Sequence, residues 1–326
     1  MRLRRSAPDE PGISRRRHGK GFSYLDAHGS RVDDRETLDR ISAIAIPPAW
    51  NDVWICVSGN GHVQATGVDA DGRTQYRYHP RWAAEADRKK YRRVRLLSEA
   101  MSALRSKVTR DLRSDDAERR ALATAVRLID ATGMRLGDER YARERGTIGT
   151  LTLERRHTTV SGNTIRLDFP AKSGVQWKAE IVDGDLAAAI RRAPREATSR
   201  LVSWHTSATN ARDTCENRVH ASALTAYLRE NTGLPITAKD LRTLLGSRIA
   251  AEALARAGLA DTAREREKSI RTAIVAVSLE LRNTIAVARS SYIDPRVLER
   301  YRRGRLAELS RGRVSDAALA RLLAAD

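Results

Sequence analysis

The sequence predicts an α+β protein in which a small antiparallel β-sheet domain precedes a larger, mainly α-helical domain with a small β-hairpin sheet. Short strand-like runs separated by turn residues fill positions 21 to 80, whereas apolar residues recur at helical spacing from about Trp82 onward. A chain of 326 residues suits two domains. We place a flexible basic arm at residues 1–20, the β-rich domain at 21–88 and the helical domain at 89–326.

The charge balance favours a polyanionic partner. The chain holds 60 Lys and Arg against 41 Asp and Glu, a formal net charge of +19. Such an excess of positive charge favours binding to nucleic acid, because each phosphate that the protein neutralises releases counterions. A membrane surface is the rival polyanion, but no run of about 18 apolar residues exists to span a bilayer. Charge alone names no reaction, and RNA binding would give the same balance.

Cysteine usage and the start of the chain fit a cytoplasmic protein. Cys56 and Cys215 lie far apart, with no CxxC pair or Cys/His cluster, which argues against a zinc site and against a disulfide framework. The first residues are basic, but no apolar segment of a signal peptide follows them.

The arm is predicted from its composition. Its basic residues, which stand among Pro8, Pro11 and Gly12, are Arg2, Arg4, Arg5, Arg15, Arg16, Arg17 and Lys20. Such a segment either follows phosphates or is only a solvated tail, and the sequence leaves both open.

Three strand-like runs joined by glycine-containing turns define the β-rich domain: Val53–Val57, His62–Val68 and Thr74–Tyr78. In the third run Gln75 and Arg77 share one face. Tyr76 and Tyr78 share the other. Either the tyrosines fill a small sheet core, or these side chains enter a groove, where Gln can pair with adenine and Tyr can bind phosphate.

The helical domain starts with the basic run Arg88–Arg95, which we interpret as the interdomain linker. A helix is predicted at Ala117–Thr132, and Gly133 ends it, so that Arg135 lies just beyond a helix C-terminus. Strands are predicted at 147–153, 165–169 and 175–182, and Lys172 lies in the turn that joins the last two.

After Asp183 the pattern is almost wholly helical, with segments at 221–231, 238–257, 265–287 and 317–323. Asn283 falls in the third of these. The stretch from Leu281 is also predicted to be a helix, which ends before Pro295 and has Tyr292 in its last turn. Asn283 precedes Tyr292 by nine residues, about two and a half turns, so both can face one cavity.

Five fragments stand in order along the C-terminal two-thirds of the chain: Met134-Arg-Leu-Gly-Asp-Glu-Arg-Tyr141, Thr147-Ile-Gly-Thr-Leu-Thr-Leu153, Phe169-Pro-Ala-Lys-Ser-Gly174, Thr237-Ala-Lys-Asp-Leu-Arg-Thr243 and Asn283 to Pro295. Together they resemble the active site of type IB DNA topoisomerases, in particular the bacterial, poxvirus-like branch. The resemblance implies a monomeric clamp around double-stranded DNA that relaxes supercoils in the nucleoid. It also implies transient single-strand cleavage through a 3′-phosphotyrosyl link, without ATP or metal.

The resemblance also assigns residues. The catalytic set is Tyr292, Arg135, Lys172, Arg242 and Asn283, and the DNA-binding set is Gln75, Tyr76, Arg77, Tyr78 and Tyr141. Departures from the family pattern occur at two positions. Asn283 stands where many relatives have histidine, and Asp138 stands where poxvirus enzymes have a lysine that helps to read the cleavage site. We therefore expect a different preferred cleavage sequence.

The chemistry explains why these residue types are needed. A tyrosine that attacks a phosphodiester builds negative charge on the nonbridging oxygens, and fixed arginines lower that barrier because their planar forks bind phosphate and stay charged. The leaving 5′-oxygen needs a proton, for which Lys172 is the candidate donor. Lys178, farther along the same hairpin, is an equally good proton donor on physical grounds. Lys172 is preferred because Phe-Pro-Ala-Lys resembles the family motif. Neither a carboxylate pair for two metals nor a P-loop is present, so no cofactor is expected.

Two other functions remain open. A tyrosine recombinase shares the Arg, Lys and Tyr chemistry, but it typically has His-X-X-Arg where this chain has Lys239-Asp-Leu-Arg242, and it leads with helices rather than strands. A non-catalytic basic DNA-binding protein would use Tyr292 only as an aromatic plug at a helix end. Covalent attachment to DNA separates that second alternative from both enzymes.

Overall fold

The computed structural model describes residues 2–196, 198–207 and 214–324. The chain divides into two compact units, Met1–Lys89 and Lys90–Asp326. Both contain helices and antiparallel sheets, so the fold class is α+β. None of the helices in the described ranges is long and apolar enough to cross a membrane.

The N-terminal unit is built on a five-stranded antiparallel sheet of order β2-β1-β3-β4-β5. Its strands are β1 (Gly12–His18), β2 (Gly21–Leu25), β3 (Asn51–Cys56), β4 (Val63–Val68) and β5 (Thr74–Tyr78). Helix α1 (Arg35–Ile44) begins where the Asp34 carboxylate accepts a hydrogen bond from the Thr37 N–H. Ile41 of this helix joins Ile13, Ile55 and neighbouring side chains in a small core.

The prediction of a flexible arm at residues 1–20 is wrong for Gly12–His18. These residues form β1, which pairs with both β2 and β3. Arg15 shows how a basic residue is accommodated there, because its guanidinium donates to the carbonyl oxygens of Pro47 and Trp50 and lies 4.1 Å from the ring centroid of Phe22. The three strands predicted for this unit are confirmed, whereas β1, β2 and α1 were not predicted.

The C-terminal unit is mainly helical. Its helices are α2 (Pro80–Arg113, which starts in the first unit), α3 (Ala117–Thr132), α4 (Glu139–Arg145), α5 (Gly184–Arg191), α6 (Ala221–Thr232), α7 (Ala238–Ala257), α8 (Ala263–Glu280), α9 (Ile285–Val287), α10 (Pro295–Arg302) and α11 (Asp316–Ala324). A three-stranded sheet consists of β6 (Thr158–Ser161), β7 (Thr164–Pro170) and β8 (Gln176–Val182). Among its described residues the unit also contains two hairpins, β9 (Ser203–Ser207) with β10 (Thr214–Arg218), and β11 (Leu309–Ser310) with β12 (Arg313–Val314).

Several predicted elements are confirmed in this unit, among them α3, α7 and the β7–β8 hairpin with Lys172 in its turn. The basic run 88–95, interpreted as the interdomain linker, lies inside α2 and contains the boundary between the two units. The two hairpins interrupt the region expected to be almost wholly helical.

The predicted strand at 147–153 is wrong. The backbone N–H groups of Thr150 and Leu151 donate instead to the carbonyl oxygens of Arg135 and Leu136, and Thr150–Thr152 forms a turn of 3-10 helix. This segment therefore supports the loop that carries Arg135.

The predicted helix at 265–287 is also wrong in its last part. Helix α8 ends at Glu280, and Arg282 has a left-handed backbone with φ of 50°. The chain becomes helical again at α9, which continues into a π-helical turn, Ala288–Tyr292. Asn283 lies in the break, so its spacing of nine residues from Tyr292 does not measure turns of one helix. The helix does stop before Pro295, which starts α10.

Candidate active site

Helix α7 fixes the segment that contains Tyr292. Gly246 of α7 lies against the Tyr292 backbone so closely that a Cβ atom at Gly246 would be 2.4 Å from the Tyr292 carbonyl oxygen. The adjacent Ser247 hydroxyl accepts a hydrogen bond from the Asp294 N–H at 2.9 Å and donates to the Thr243 carbonyl oxygen at 2.8 Å. Tyr292 itself is half-buried. One helix face therefore sets the position of the tyrosine backbone.

Arg242 lies on α7 one turn before Gly246, and its side chain is directed at the tyrosine. Its guanidinium carbon is 4.8 Å from the centroid of the Tyr292 ring, and the residue is only 3 % exposed. Burial lowers the pKa of Arg242, the nearby Tyr292 hydroxyl opposes this, and Arg135 adds to it. Within the described ranges, Nη2 reaches the Leu281 carbonyl oxygen at 3.5 Å, but Nε and Nη1 have no hydrogen-bond partner.

Arg135 approaches from the loop after α3. Gly133 ends that helix in a left-handed conformation, which turns the chain toward the site. The Nη2 of Arg135 donates to the Arg282 carbonyl oxygen at 3.2 Å and to the Asn283 Oδ1. Burial lowers the pKa of Arg135, and the Tyr292 hydroxyl opposes that shift.

Asn283 contributes a hydrogen-bond donor that carries no charge. Its backbone is held by Ser278, whose carbonyl accepts from the Asn283 N–H and whose hydroxyl donates to the Asn283 carbonyl oxygen. Because Oδ1 accepts from Arg135, the Nδ2 is left buried without a partner among the described residues. A buried unpaired donor costs roughly 1–3 kcal/mol. Three such atoms, two on Arg242 beside the Tyr292 ring and one on Asn283 beside Arg135, are donors that an oxyanion can use.

Lys172 lies in the 3-10 turn between β7 and β8 and is exposed. In the described part of the chain no hydrogen bond or ion pair joins it to Tyr292, Arg135 or Arg242. Its competitor Lys178 is engaged on β8, where its ammonium is 3.5 Å from the Asp168 carboxylate. The structure thus brings together four of the five predicted catalytic residues and leaves the fifth on a solvent-facing turn.

Asp138 and Tyr141 belong to the start of α4. The Asp138 carboxylate accepts from the backbone N–H groups of Arg140 and Tyr141, so this residue caps the helix. The Tyr141 ring lies under the guanidinium groups of Arg140 and Arg145, at 5.0 and 5.7 Å from its centroid. Within the described ranges, Tyr141 makes no hydrogen bond or ring contact with Tyr292.

The four residues predicted on β5 lie in the N-terminal unit, on an edge strand. Tyr76 and Tyr78 stack on each other at 5.9 Å and are 46 % and 48 % exposed, which excludes the alternative of a tyrosine sheet core. Gln75 donates to the Asp69 carboxylate. Arg77 donates to the Ala45 carbonyl oxygen.

Residues that sequence reasoning missed are Gly246, Ser247 and the carbonyl groups of Leu281 and Arg282. Only Gly246 carried a signal, because an isolated glycine inside a helical pattern indicates a close approach of another segment.

Replacing Gly246 with alanine is expected to lower the free energy of unfolding by about 1–3 kcal/mol, because the new methyl group would overlap the Tyr292 carbonyl. Thermal unfolding followed by circular dichroism measures the change. Gly59→Ala is the matched control, since its Cβ would be 3.5 Å from the nearest atom, an ordinary contact. Equal melting temperatures for the two variants would contradict the packing described here.

Comparison with known proteins adds the identity of the chain. The family model of the eukaryotic DNA topoisomerase I catalytic core matches residues 79–310, and that of the bacterial DNA topoisomerase IB N-terminal domain matches residues 21–69. The chain therefore belongs to the DNA topoisomerase I family. Its type is IB, as the bacterial N-terminal match indicates.

Curated relatives agree with this assignment. DNA topoisomerase 1B of Acanthamoeba polyphaga mimivirus is 28 % identical over 294 residues, which cover 89 % of this chain and 87 % of the relative. DNA topoisomerase 1 beta of Arabidopsis thaliana is 30 % identical over 94 residues, and DNA topoisomerase 1 of Schizosaccharomyces pombe is 31 % identical over 98 residues. These matches cover 28 % and 30 % of this chain but only 10 % and 12 % of the plant and yeast proteins.

Proposed function

We propose that this type IB topoisomerase relaxes supercoiled duplex DNA by using Tyr292 as the nucleophile. The observation that carries the proposal is the buried Arg242 guanidinium, which lies 4.8 Å from the centroid of the Tyr292 ring and has two nitrogens without a partner among the described residues. A third unpartnered donor is the Nδ2 of Asn283, whose Oδ1 accepts from Arg135. A DNA phosphodiester would supply the acceptors that these donors lack and would be held next to the tyrosine that attacks it.

The proposed reaction has two opposite steps. The Tyr292 oxygen forms a bond to phosphorus and releases its proton to solvent, while the bond from phosphorus to the 5′-oxygen breaks and that oxygen takes up a proton. The product is a 3′-phosphotyrosyl link and a free 5′-hydroxyl. Rotation of the cut strand relieves supercoiling, and the 5′-hydroxyl then expels the tyrosine. The phosphotyrosyl bond conserves the energy of the broken linkage, so resealing needs no ATP.

Arg135, Arg242 and Asn283 stabilise the transition state in this scheme. Charge grows on the two nonbridging oxygens as tyrosine attacks, and donors fixed before the reaction lower the barrier without reorganisation. Both guanidiniums stay protonated although burial lowers the pKa of each, because arginine starts far above neutral pH. Asn283 adds a hydrogen bond without adding charge.

Lys172 is the proposed proton donor to the 5′-oxygen. Its exposed turn leaves the ammonium free to reach a DNA backbone, whereas the Asp168 carboxylate engages Lys178. DNA binding would have to bring Lys172 to the leaving oxygen, since no protein contact holds it there in the described ranges.

Lys172→Ala is expected to slow single-turnover strand cleavage by roughly 10²–10⁴-fold, the usual contribution of a general acid. A duplex with sulfur in place of the scissile 5′-oxygen should restore the rate, because a thiolate leaves without a proton. The control is Lys178→Ala, which should cleave both substrates like the wild type. Loss of activity in Lys178→Ala with normal activity in Lys172→Ala would reverse the assignment.

Contacts that hold the DNA are proposed for both units. Exposed Tyr76 and Tyr78 on edge strand β5, with Gln75 and Arg77, offer stacking and hydrogen-bonding groups to a groove. On α4, Tyr141 and the flanking Arg140 and Arg145 also offer an aromatic ring and hydrogen-bond donors to DNA. With a net charge of +19, these surfaces support a monomeric clamp around the duplex and association with the nucleoid.

The test is relaxation of a negatively supercoiled plasmid in EDTA without ATP, followed by denaturing electrophoresis to detect protein joined to DNA. Relaxed topoisomers and a covalent 3′-adduct are expected. Strand exchange between two duplexes would favour a recombinase instead. DNA binding without any adduct would leave a non-catalytic DNA-binding protein as the better account.

A further inference from the structure

The break between α8 and α9 supplies hydrogen-bond acceptors to both arginines of the site. Three consecutive residues are involved. The Leu281 carbonyl oxygen is 3.5 Å from Nη2 of Arg242, and the Arg282 carbonyl oxygen is 3.2 Å from Nη2 of Arg135. The Asn283 Oδ1 also accepts from Nη2 of Arg135. In an uninterrupted helix these backbone carbonyls would accept from N–H groups four residues later.

Leu281 packs against both segments that carry the site arginines, the loop of Arg135 and helix α7 of Arg242, and so holds the break in place. The residue is fully buried, and a Cβ atom on Gly133 would be 2.5 Å from its Cδ2. On its other side, a Cβ atom on Gly246 would be 3.2 Å from its Cδ1. Gly133 precedes Arg135 by two residues, and Gly246 follows Arg242 by one helical turn. Leu281 is thus in contact with both backbones whose side chains the break orients.

Arg282 gives the break its backbone direction. Its φ of 50° is in the left-handed region, which non-glycine residues adopt at a cost. Its side chain is exposed, whereas its carbonyl is turned to Arg135. Strain of this kind persists only where the surrounding structure imposes it, and it clusters at functional sites.

We infer that the Leu281–Asn283 break is a positioning element that aligns Arg135 and Arg242 for the phosphate, and that it requires the left-handed backbone of Arg282 rather than the Arg282 side chain. This inference rests on the proposed function of the two arginines. Arg282 is therefore a positioning residue that acts through its carbonyl.

Substitutions at Arg282 separate backbone from side chain. Arg282→Gly and Arg282→Asn remove the guanidinium but permit a left-handed backbone, whereas Arg282→Val removes the same charge and disfavours that backbone. Single-turnover cleavage is measured with saturating enzyme on a duplex whose cleavage position has been mapped with the wild type. We expect the glycine and asparagine variants to cleave like each other, and the valine variant to cleave at least roughly tenfold more slowly, since small misplacements of catalytic groups cost that much or more.

A second substrate distinguishes alignment of the arginines from a general loss of structure. A neutral methylphosphonate at the scissile position needs less cationic stabilisation, so the rate ratio between the glycine and valine variants should shrink toward one. If the valine variant does not fold, the comparison of Arg282→Ala with Arg282→Gly tests the same requirement for a left-handed backbone, because alanine also disfavours that conformation but has a smaller side chain. Equal cleavage rates for the glycine and valine variants (or for the glycine and alanine variants, where valine does not fold) would overturn the inference, and so would an unchanged rate ratio on the methylphosphonate substrate. Wild-type cleavage would still uphold the proposed function. A wild type that forms no adduct would overturn both.

Discussion

Tyr292→Phe is expected to abolish covalent attachment to DNA and to slow supercoil relaxation by roughly 10⁴-fold or more, as removal of a nucleophile does in other enzymes. The substitution removes one oxygen and leaves the ring that Arg242 contacts at 4.8 Å. The backbone contacts of Tyr292 with Gly246 are also unchanged. DNA binding should therefore persist in a filter or mobility-shift assay, while denaturing electrophoresis shows no adduct.

The matched control is Tyr301→Phe, the same chemical change on α10. Tyr301 is buried, and its hydroxyl donates to the Gly258 carbonyl oxygen at 2.9 Å. Loss of that bond is expected to cost about 1 kcal/mol of stability without slowing cleavage. An adduct that forms at the normal rate in Tyr292→Phe would show that another residue is the nucleophile.

Arg242→Met is expected to slow strand cleavage by about 10²–10³-fold, the usual effect of losing one donor that stabilises transition-state charge. The thermal stability of the protein should not fall, and it should rise if the apolar chain packs well. Arg242 is buried with two nitrogens unpaired, so the folded state gains little from the charge that methionine removes. Arg242→Lys should not restore the rate, because an ammonium cannot reproduce the planar fork.

Arg300→Met serves as the control for burial. Arg300 is 8 % exposed and its Nη1 also lacks a partner among the described residues. Unlike Arg242, it makes no hydrogen bond or cation–π contact with Tyr292 within the described ranges. This variant should cleave at the wild-type rate. If Arg242→Met unfolds at a much lower temperature, or cleaves normally, the assignment of Arg242 to the phosphate is wrong.

Elements with strong local patterns were predictable from the sequence. Helix α7 has the predicted bounds, Ala238–Ala257, because apolar residues recur at helical spacing and Thr237 and Asp240 form a capping box. Gly133 correctly marked the end of α3 and hence the place of Arg135. These signals are local, and they are sufficient where the neighbouring structure agrees with them.

The break at Leu281–Asn283 was not predictable in this way. No glycine or proline lies there, and the apolar spacing continues through it. Its cause is tertiary, since Leu281 packs against Gly133 and Gly246, which are distant in sequence. Strand β1 was hidden for a related reason: the partners of Arg15 are carbonyl groups of Pro47 and Trp50, which only the folded sheet brings near.

If the three unpartnered donors on Arg242 and Asn283 bind phosphate as proposed, the folded chain, and not the unfolded one, is a receptor for tetrahedral anions. By mass-action linkage, an anion that binds only the folded state raises the free energy of unfolding, by about 2.7 kcal/mol at one hundred times its dissociation constant. Inorganic phosphate or sulfate should thus protect this enzyme against heat and, at the same concentrations, compete with DNA for the site. On this proposal, phosphate or sulfate in the buffer raises the apparent stability of the protein and lowers its apparent affinity for DNA.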